Sequence, residues 1–492
     1  MFRTLSLWVG YIITTALLVV LVLGGLRYAY VELTGPSVNT YHLEQKENYL
    51  AELQPEVAPP MNIVIIFFDD LGWGDLSSYG NPAIKTPEID AIAEQGLRMT
   101  DFYSASPVCT PSRAALLTGR FPPRTRTDRH VFFNDDHAIG IARRMLGLAN
   151  ALPKEEITLA EVLQAKGYAT HMVGKWHLGS TASYWPTDFG FDNWFGVLYS
   201  NDMYPFHLYE NSRMLEEDQR EGGLFASERD EGRPLPGQGI DQSTLTQRYT
   251  EQAIDFLEDS RDAPFFLYLA HSFPHVPHYP AQEFAGQSAG GTYGDVVEDL
   301  DRSTGAIAAA LDRLDLSSNT LLIITSDNGA DYNGSSGPLR GRKQETLEGG
   351  QRVPMVVRWP DRIAPGKVSN ALGMNTDIFP TILDVLSTEP PRDRIIDGKS
   401  LLSTWTQDTP AHEQLYYFPV TDPLPGAIRD RRFKLTLSTG DLGRNRPHLS
   451  NINHYEAHEV SSLYPDTYER LYGLLQNARD QIEANPRGWR DR

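Results

Sequence analysis

The sequence of 492 residues contains one cysteine, Cys109, and therefore no intramolecular disulfide. The chain either meets reducing conditions or depends on its core alone. Basic residues are also scarce, since 44 lysines and arginines face 64 aspartates and glutamates and the net charge is −20. This balance argues against a nucleic-acid-binding protein, which needs a basic surface. The overall field repels an anionic ligand, so binding one requires a local cluster of cations or a metal ion.

Charged residues are absent from residues 5–26, a stretch long enough to cross a hydrocarbon core of about 30 Å. Trp8 and Tyr28 stand where interfacial aromatic residues are common. No small-X-small cleavage site precedes the polar region, so residues 1–30 are predicted to be an uncleaved signal anchor, with a cleaved signal peptide as the alternative. The N-terminal charges slightly outweigh Arg27, which places the body of the protein outside the cytoplasm, in the periplasm or extracellular space.

Two short apolar runs, residues 62–68 and 320–325, predict central strands of a parallel sheet that is covered on both faces. Each run is followed by two side chains that carry oxygen, and these are Asp69, Asp70, Asp327 and Asn328. Sites in open α/β sheets form beyond the carboxyl ends of strands. Clustered carboxylates need a cation, and a set of oxygen donors favours calcium or magnesium over zinc. The alternative is that these residues are ordinary turn formers.

Cys109 begins the run Cys-Thr-Pro-Ser-Arg-Ala-Ala-Leu-Leu-Thr-Gly-Arg. Pro111 suits the first turn of a helix and Gly119 suits its end, so Cys109 is predicted to lie just ahead of a helix N-terminus. Unpaired N–H groups and the helix dipole favour an anion at that position. A thiol there is either reactive or chemically altered, unless it is a buried cysteine that only packs.

This run resembles the signature of the type I sulfatases of the alkaline phosphatase superfamily, in which the cysteine is oxidised to formylglycine. The run Gly-Lys-Trp-His-Leu-Gly, with Lys175 and His177, resembles their second signature. The resemblance covers residues 62–437 approximately. It implies an alkaline-phosphatase-like α/β fold, in which helices sandwich a mixed, mostly parallel sheet and a smaller C-terminal α+β domain follows.

The resemblance also assigns site residues. Calcium, with magnesium as the alternative, would be bound by Asp69, Asp70, Asp327, Asn328 and the modified residue 109. The sulfate group would be bound by Lys175, Lys343, His275 and Ser200, although Ser200 in a turn and Lys343 in a solvated basic loop are alternatives. The catalytic set would consist of Cys109, Arg113, Lys175, His177, His275, Asp327 and Lys343.

Each member of this set has a role that the resemblance implies. Arg113 fixes the modified residue, and Asp327 helps to activate its attacking hydroxyl. His275 protonates the leaving alcohol, and His177 deprotonates the second hydroxyl so that sulfate is expelled. The neighbouring His271 and His278 are predicted to be structural or rim residues, because the spacing fits no common zinc pattern.

The implied function is an arylsulfatase-like sulfuric ester hydrolase that acts on a small-molecule or glycan sulfate ester. It would need a formylglycine-generating enzyme for its maturation. Two alternatives are a phosphonate monoester or phosphodiester hydrolase of the same superfamily and a non-catalytic protein that binds sulfated glycans. The natural alcohol and the oligomeric state stay open.

The predicted domain organisation starts with a polar tether over residues 31–60. The catalytic domain follows at 61–389 and a smaller domain at 390–492. In the smaller domain, residues 413–420 and 427–437 are predicted to be antiparallel strands and 464–482 a helix. Residues 205–242 are acidic and rich in glycine and proline, which indicates a long excursion outside the core.

Overall fold

The computed structural model describes residues 14–15, 18–19, 22–26, 38–55, 61–135, 137–203, 206–217, 239–420, 422–437 and 447–490. Most of the predicted signal anchor, residues 31–37 and 56–60 of the predicted tether, and residues 205 and 218–238 of the predicted excursion lie outside these residues. Within the described chain, no helix has both the length and the apolar character needed to cross a membrane.

The larger part of the described chain, N-terminal to residue 390, is built on one mixed sheet. Its strands are β1 (Asn62–Phe68), β2 (Leu97–Tyr103), β3 (Ala169–Lys175), β4 (Asn193–Val197), β5 (His207–Glu210), β6 (Arg213–Glu217), β7 (Phe265–Ala270), β8 (Thr320–Ser326), β9 (Arg352–Arg358), β10 (Lys367–Ser369) and β11 (Gly373–Met374). Their spatial order is β10-β2-β9-β8-β1-β7-β3-β4-β5-β6, with β11 beside β2. Strands β8, β1, β7, β3 and β4 are mutually parallel, whereas β9, β5 and β6 pair antiparallel with their neighbours. The mixed, mostly parallel sheet is thereby confirmed.

The helices are α1 (Thr40–Glu52), α2 (Pro87–Glu94), α3 (Cys109–Thr118), α4 (Ala138–Leu146), α5 (Leu159–Ala165), α6 (Leu245–Asp259), α7 (Gly291–Arg313), α8 (Glu348–Gln351), α9 (Ile378–Val385), α10 (Leu402–Gln407) and α11 (Pro465–Ala484). Alternate residues of β1 point to opposite faces of the sheet. Ile63, Ile65 and Phe67 join a core with α3, α5 and α9, whereas Val64 and Ile66 join one with α2, α6 and α7. Both faces are covered, so β1 is apolar throughout.

The C-terminal part is a four-stranded antiparallel sheet with one long helix against it. Its strands are β12 (Leu415–Tyr417), β13 (Ala427–Arg429), β14 (Phe433–Thr436) and β15 (His448–Asn451). Leu435 and Leu449 pack with Leu471 of α11. The single strand predicted over 427–437 is wrong, because the Asp430 carboxylate accepts the N–H groups of two residues just after it and forms a turn. The domain boundary at 389/390 stays a prediction.

Two other segments differ from the sequence analysis. Part of the predicted tether is the helix α1, because Lys46 forms an ion pair of 2.5 Å with Glu161 and His42 stacks on Trp489 at 3.8 Å. The first part of the predicted excursion is the hairpin β5–β6, which extends the main sheet and buries Leu208. In both segments, tertiary packing orders a polar sequence that has little apolar periodicity of its own.

Candidate active site

The carboxyl ends of β1 and β8 bring three carboxylates to one edge of the sheet. Because the two strands are parallel neighbours, the residues that follow them are adjacent. The N–H of Asp327 donates to the Phe68 carbonyl at 3.0 Å, and the N–H of Asp70 donates to Oδ1 of Asp327 at 3.1 Å. Asp70 has a φ of +67°, which turns the chain at this point. Asp69, Asp70 and Asp327 are all buried.

Helix α3 presents Cys109 and Arg113 to these carboxylates. The helix begins at Cys109 itself rather than just after it, and Gly119 ends it with a φ of +69°. Cys109 Sγ lies 3.4 Å from Oδ1 of Asp69. Residues four apart share a helix face, so Arg113 points the same way and donates from Nε and Nη2 to Oδ2 of Asp327 at 3.1 and 2.8 Å.

Two lysines approach the same carboxylates from different elements. Lys175, the last residue of β3, places Nζ 2.5 Å from Oδ2 of Asp69 and donates to Ser200 Oγ at 2.6 Å. Lys343, from the loop before α8, places Nζ 2.7 Å from Oδ2 of Asp70. The acidic chain therefore contains a local cluster of cations. Such a cluster allows an anionic ligand to bind although the net charge of the chain repels it.

The two predicted catalytic histidines form their hydrogen bonds through different ring nitrogens, His275 through Nδ1 and His177 through Nε2. His275 directs Nδ1 to two oxygen acceptors, Asn201 Oδ1 at 3.2 Å and the Val276 carbonyl at 2.6 Å, so Nδ1 carries a proton. Its Nε2 lies 3.7 Å from Oδ2 of Asp70. His177 donates from Nε2 to the Phe132 carbonyl at 3.0 Å, while its Nδ1 is buried without a hydrogen-bond partner. In neutral His177 that Nδ1 is the basic nitrogen.

The buried charges shift several pKa values. Burial raises the pKa of the Cys109 thiol well above its usual range, and Asp327 and Asp69 raise it further. Desolvation and the two carboxylates therefore outweigh the effect of the helix N-terminus on the unmodified thiol. Burial opposes ionisation of Asp69, but Lys175 and the other cations hold its pKa well below the usual value. Burial, together with the charge of Asp69, raises the pKa of Asp327 to about 7.

The oxygen donors fit a divalent cation. Ligand atoms of Asp69, Asp70, Cys109 and Asp327 all lie within 4.8 Å of one another. The Asn328 amide nitrogen donates to Oδ1 of Asp70 at 2.7 Å, which leaves Asn328 Oδ1 buried with no hydrogen-bond partner. A buried carbonyl oxygen without a partner is costly unless an ion satisfies it. Because all the donors except the thiol are oxygens, the set suits calcium or magnesium.

Two residues that support the site were not predicted. Asn201 orients His275 through Nδ1, and its position next to Ser200 was the one signal that could have indicated it. Thr110 donates to the His177 carbonyl at 3.0 Å and accepts the Phe132 N–H at 3.0 Å, so it couples Cys109 to the histidine loop.

His271 and His278 lie outside this set of contacts. His271 Nε2 lies 3.4 Å from Ser303 Oγ, and burial lowers the pKa of His271 to about 3. His278 donates from Nε2 to the Pro274 carbonyl at 3.1 Å. Both sets of contacts agree with the structural or rim positions predicted for these histidines.

A mixed, mostly parallel sheet with acidic, cationic and imidazole groups at its carboxyl edge is the arrangement of an α/β enzyme. Comparison with known proteins specifies the family. The sequence profile named Sulfatase matches residues 61–388, and one described as N-sulphoglucosamine sulphohydrolase, C-terminal, matches residues 342–437. The chain belongs to the sulfatase family of sulfuric ester hydrolases in the alkaline phosphatase superfamily.

Individual relatives agree with this assignment. N-acetylgalactosamine-6-sulfatase of Rattus norvegicus is 39% identical over 374 residues, which cover 73% of this chain and 68% of the relative. Arylsulfatase A of Homo sapiens is 37% identical over 443 residues, which cover 86% of this chain and 82% of the relative. A solved structure from work on glycosaminoglycan metabolism by Bacteroides thetaiotaomicron aligns with a TM-score of 0.74 at 27% identity, over 86% of this chain and all of the other.

Proposed function

We propose that this chain hydrolyses a sulfate monoester to an alcohol and inorganic sulfate, with residue 109 in its formylglycine form. One observation carries the proposal. Cys109 Sγ, the Lys175 ammonium and the Arg113 guanidinium all lie within 3.6 Å of the carboxylate of Asp69. These distances support the proposal, because transfer of an anionic group requires that its nucleophile, its anion-binding cation and its metal ligands lie close together.

Asp69, Asp70, Asp327 and the free oxygen of Asn328 would hold a divalent cation, with calcium preferred and magnesium as the alternative. Such an ion supplies positive charge that polarises a sulfate oxygen and offsets the three carboxylates. The carboxylates already face three cations, namely Arg113, Lys175 and Lys343. With the ion bound, the pocket has a net positive charge, so it favours an anionic ester despite the acidic surface.

Different residues of the chain bind the sulfate group, activate the attacking hydroxyl and protonate the leaving alcohol. Lys175 and Lys343 hold sulfate oxygens, and Ser200 keeps the Lys175 ammonium in place. Arg113 fixes the carboxylate of Asp327 beside residue 109, where Asp327 helps to activate the attacking hydroxyl. His275 keeps Nδ1 bonded to Asn201, so its Nε2 is the atom that delivers a proton to the leaving alcohol.

The second proton transfer belongs to His177. Burial, with Lys175 and Arg113 nearby, lowers the pKa of His177 well below its usual value, so the ring is neutral and can accept a proton at Nδ1. The hydrated aldehyde supplies two hydroxyls on one carbon, one that attacks sulfur and one whose deprotonation releases sulfate and restores the aldehyde. A serine at this position would remain as a stable sulfate ester, which is why a second hydroxyl is needed.

Mass spectrometry of the tryptic peptide that contains residue 109 tests the modification. It should have the mass of formylglycine when the chain is produced with a formylglycine-generating enzyme, and the mass of cysteine without it. Sulfate release should follow the modified fraction. Full activity of Cys109→Ala would overturn the mechanism.

A phosphonate monoester or phosphodiester hydrolase of the same superfamily is the main rival. Rates on nitrophenyl sulfate and on nitrophenyl phosphate diesters decide between them, and a higher kcat/KM on the diesters would favour the rival. A binding protein for sulfated glycans would release no sulfate at all. The alcohol is best identified by a screen of sulfated sugars against small aryl sulfates.

We also propose that residues 5–26 anchor the chain in a membrane and that the catalytic domain lies outside the cytoplasm. The support is the uncharged length of this stretch, which suffices for a hydrocarbon core of about 30 Å. Flotation of the full chain with lipid vesicles, before and after an alkaline wash, distinguishes an anchored chain from an adsorbed one.

A further inference from the structure

The C-terminal end of α4 exposes large apolar side chains. Leu146 is 68% exposed and Leu148 is 40% exposed, and only Gly147 separates them. The other end of the same helix is anchored, because Ile139 packs against the buried cluster of Val108 and Cys109. Two exposed leucines by themselves are common on protein surfaces, whereas a contiguous apolar patch marks a contact with a protein or a membrane, so the neighbours of these leucines decide the question.

The neighbour of this tip is the end of the N-terminal apolar stretch. A Cβ placed on Gly24 would lie 2.8 Å from Cε of Met145, so the chain at residue 24 packs directly on α4. Residues 22–26 are helical, and the large side chains of Val22, Leu23 and Leu26 are exposed. Two apolar elements from distant parts of the sequence thus lie side by side with their leucines directed away from the protein.

Cationic side chains adjoin the same surface. A cavity of about 160 Å³ beside Leu148 is lined by Arg126, Arg144 and Lys154, together with Asp135 and Glu155. Arg144 lies 3.8 Å from Asp135, and the lining has one cation more than it has carboxylates, in contrast to the net charge of −20 for the whole chain. Apolar side chains flanked by lysine and arginine are the composition with which proteins contact the headgroup region of a bilayer.

We propose that Leu146, Leu148 and the adjoining cavity form a surface that docks on the phospholipid bilayer beside the N-terminal anchor. The proposal rests on the proposed anchoring by residues 5–26. If that stretch spans the bilayer, residue 24 lies near the end of the span, and the packing on Met145 then brings Leu146 to the bilayer interface. The cavity cations would face the lipid phosphates.

Docking of this kind fixes the distance between the membrane and the active site. Helix α4 has nine residues and is therefore about 13 Å long, and its far end packs on the Cys109 cluster. The bilayer surface would lie within one short helix of residue 109. The anchor and the α4 tip together would hold the catalytic domain in one orientation rather than leave it on a free tether.

The single cysteine of the chain makes a direct test possible. In a Cys109→Ala background, the variants Leu146→Cys and Leu148→Cys each contain one thiol for a nitroxide spin label. Leu463→Cys is the matched control, because Leu463 is 71% exposed and belongs to the C-terminal segment before α11. Each labelled full chain is reconstituted into vesicles of phosphatidylcholine and phosphatidylglycerol, and collision of the label with oxygen is compared with collision with a water-soluble nickel chelate.

Labels at 146 and 148 should collide more with oxygen and less with nickel than the label at 463, because oxygen concentrates in the bilayer. If all three labels behave alike while the chain floats with the vesicles, the docking surface is refuted and the anchor stands. If the chain does not float, both the docking and the anchor are refuted. The proposed sulfatase activity is judged separately, by sulfate release from the unlabelled wild-type chain.

Discussion

The amide nitrogen of Asn328 donates to Oδ1 of Asp70 at 2.7 Å, and this bond determines which way the amide points. The other end of the amide, Oδ1, is consequently buried without a hydrogen-bond partner next to three carboxylates. A buried unsatisfied carbonyl oxygen destabilises the fold by about 1–3 kcal/mol. A cation bound to Asn328 Oδ1 would remove this free-energy cost.

Asn328→Ala should therefore weaken the binding of Ca²⁺ by about tenfold or more, since loss of groups that support a metal site has effects of at least that size. Titration calorimetry measures the affinity, and the rise in Tm on addition of calcium provides a second readout. Asn370→Ala, at an exposed position far along the chain, is the control and should bind calcium like the wild type. Equal affinities in the two variants would contradict the ligand role.

Lys175→Met removes the charge of the side chain and shortens it by one heavy atom. Because Nζ lies 2.5 Å from Asp69 and 2.6 Å from Ser200, the ammonium is fixed in position before any ester binds. We expect kcat/KM for nitrophenyl sulfate to fall by about 10²–10³-fold, as for other preorganised donors. The control is Lys85→Met at an exposed position, which should have wild-type kinetics. A loss no larger than that of the control would exclude Lys175 from sulfate binding.

His275→Ala should affect substrates according to their leaving group. A poor leaving group such as an alkyl alkoxide needs the proton from Nε2, so its hydrolysis should slow by about 10²–10⁴-fold. Nitrophenolate leaves without being protonated, so the rate of hydrolysis of nitrophenyl sulfate should fall much less. His278→Ala is the matched control, because that histidine bonds to the Pro274 carbonyl and should not discriminate between the esters. The same loss on both esters would contradict the role of general acid.

The buried carboxylate of Glu348 joins the loop that bears Lys343 to the C-terminal sheet. It accepts hydrogen bonds from Tyr103 at 2.6 Å and Tyr417 at 2.8 Å and lies 3.3 Å from Lys434 Nζ. Glu348→Gln removes a buried negative charge that Lys434, Arg429 and Arg352 all face, although Lys434 Nζ keeps the Glu456 carboxylate at 3.1 Å. The free energy of unfolding should fall by about 3–5 kcal/mol. Urea denaturation checks this value, with Glu413→Gln at an exposed position as the control.

Adding both Lys434→Met and Glu456→Gln to Glu348→Gln should recover part of the lost stability, because all three charges of the two Lys434 ion pairs are then absent. If the triple variant were less stable than Glu348→Gln alone, these ion pairs would not be the cause of the loss.

The Glu348 carboxylate should also make the stability of the protein depend on pH. Burial opposes its ionisation, but Lys434, Arg429 and Arg352 lower the pKa of Glu348 from 4.5 to about 2. Since the folded pKa is below the unfolded one, the stabilisation is complete above pH 4.5 and is lost as the pH falls from 4.5 toward 2. The stability difference between wild type and Glu348→Gln should be constant near neutrality and shrink below about pH 4.5. Calorimetric scans of both proteins across that range measure the difference.

Some features follow from local sequence alone. The apolar runs at 62–68 and 320–325 predicted buried parallel strands because a strand covered on both faces has no polar face. Pro111 and Gly119 predicted a helix after residue 109 because each residue suits one end of a helix. The predicted metal-ligand and sulfate-binding side chains then come together because the carboxyl ends of parallel neighbours meet at the same edge.

Only the tertiary structure determined the conformation of residues 40–52 and the environment of Cys109. Residues 40–52 read as a polar tether because α1 buries only a few side chains, and their partners, Glu161 and Trp489, are remote in sequence. Likewise, the helix N-terminus predicted a thiol at Cys109 that is either reactive or chemically altered, and only the folded chain shows that burial beside Asp327 and Asp69 raises the pKa of the unmodified thiol. The local sequence determines the apolar periodicity of helices and strands and the residues at which they begin and end. Desolvation and long-range charge pairing depend on which distant residues the fold places in contact, and only the folded chain specifies those neighbours.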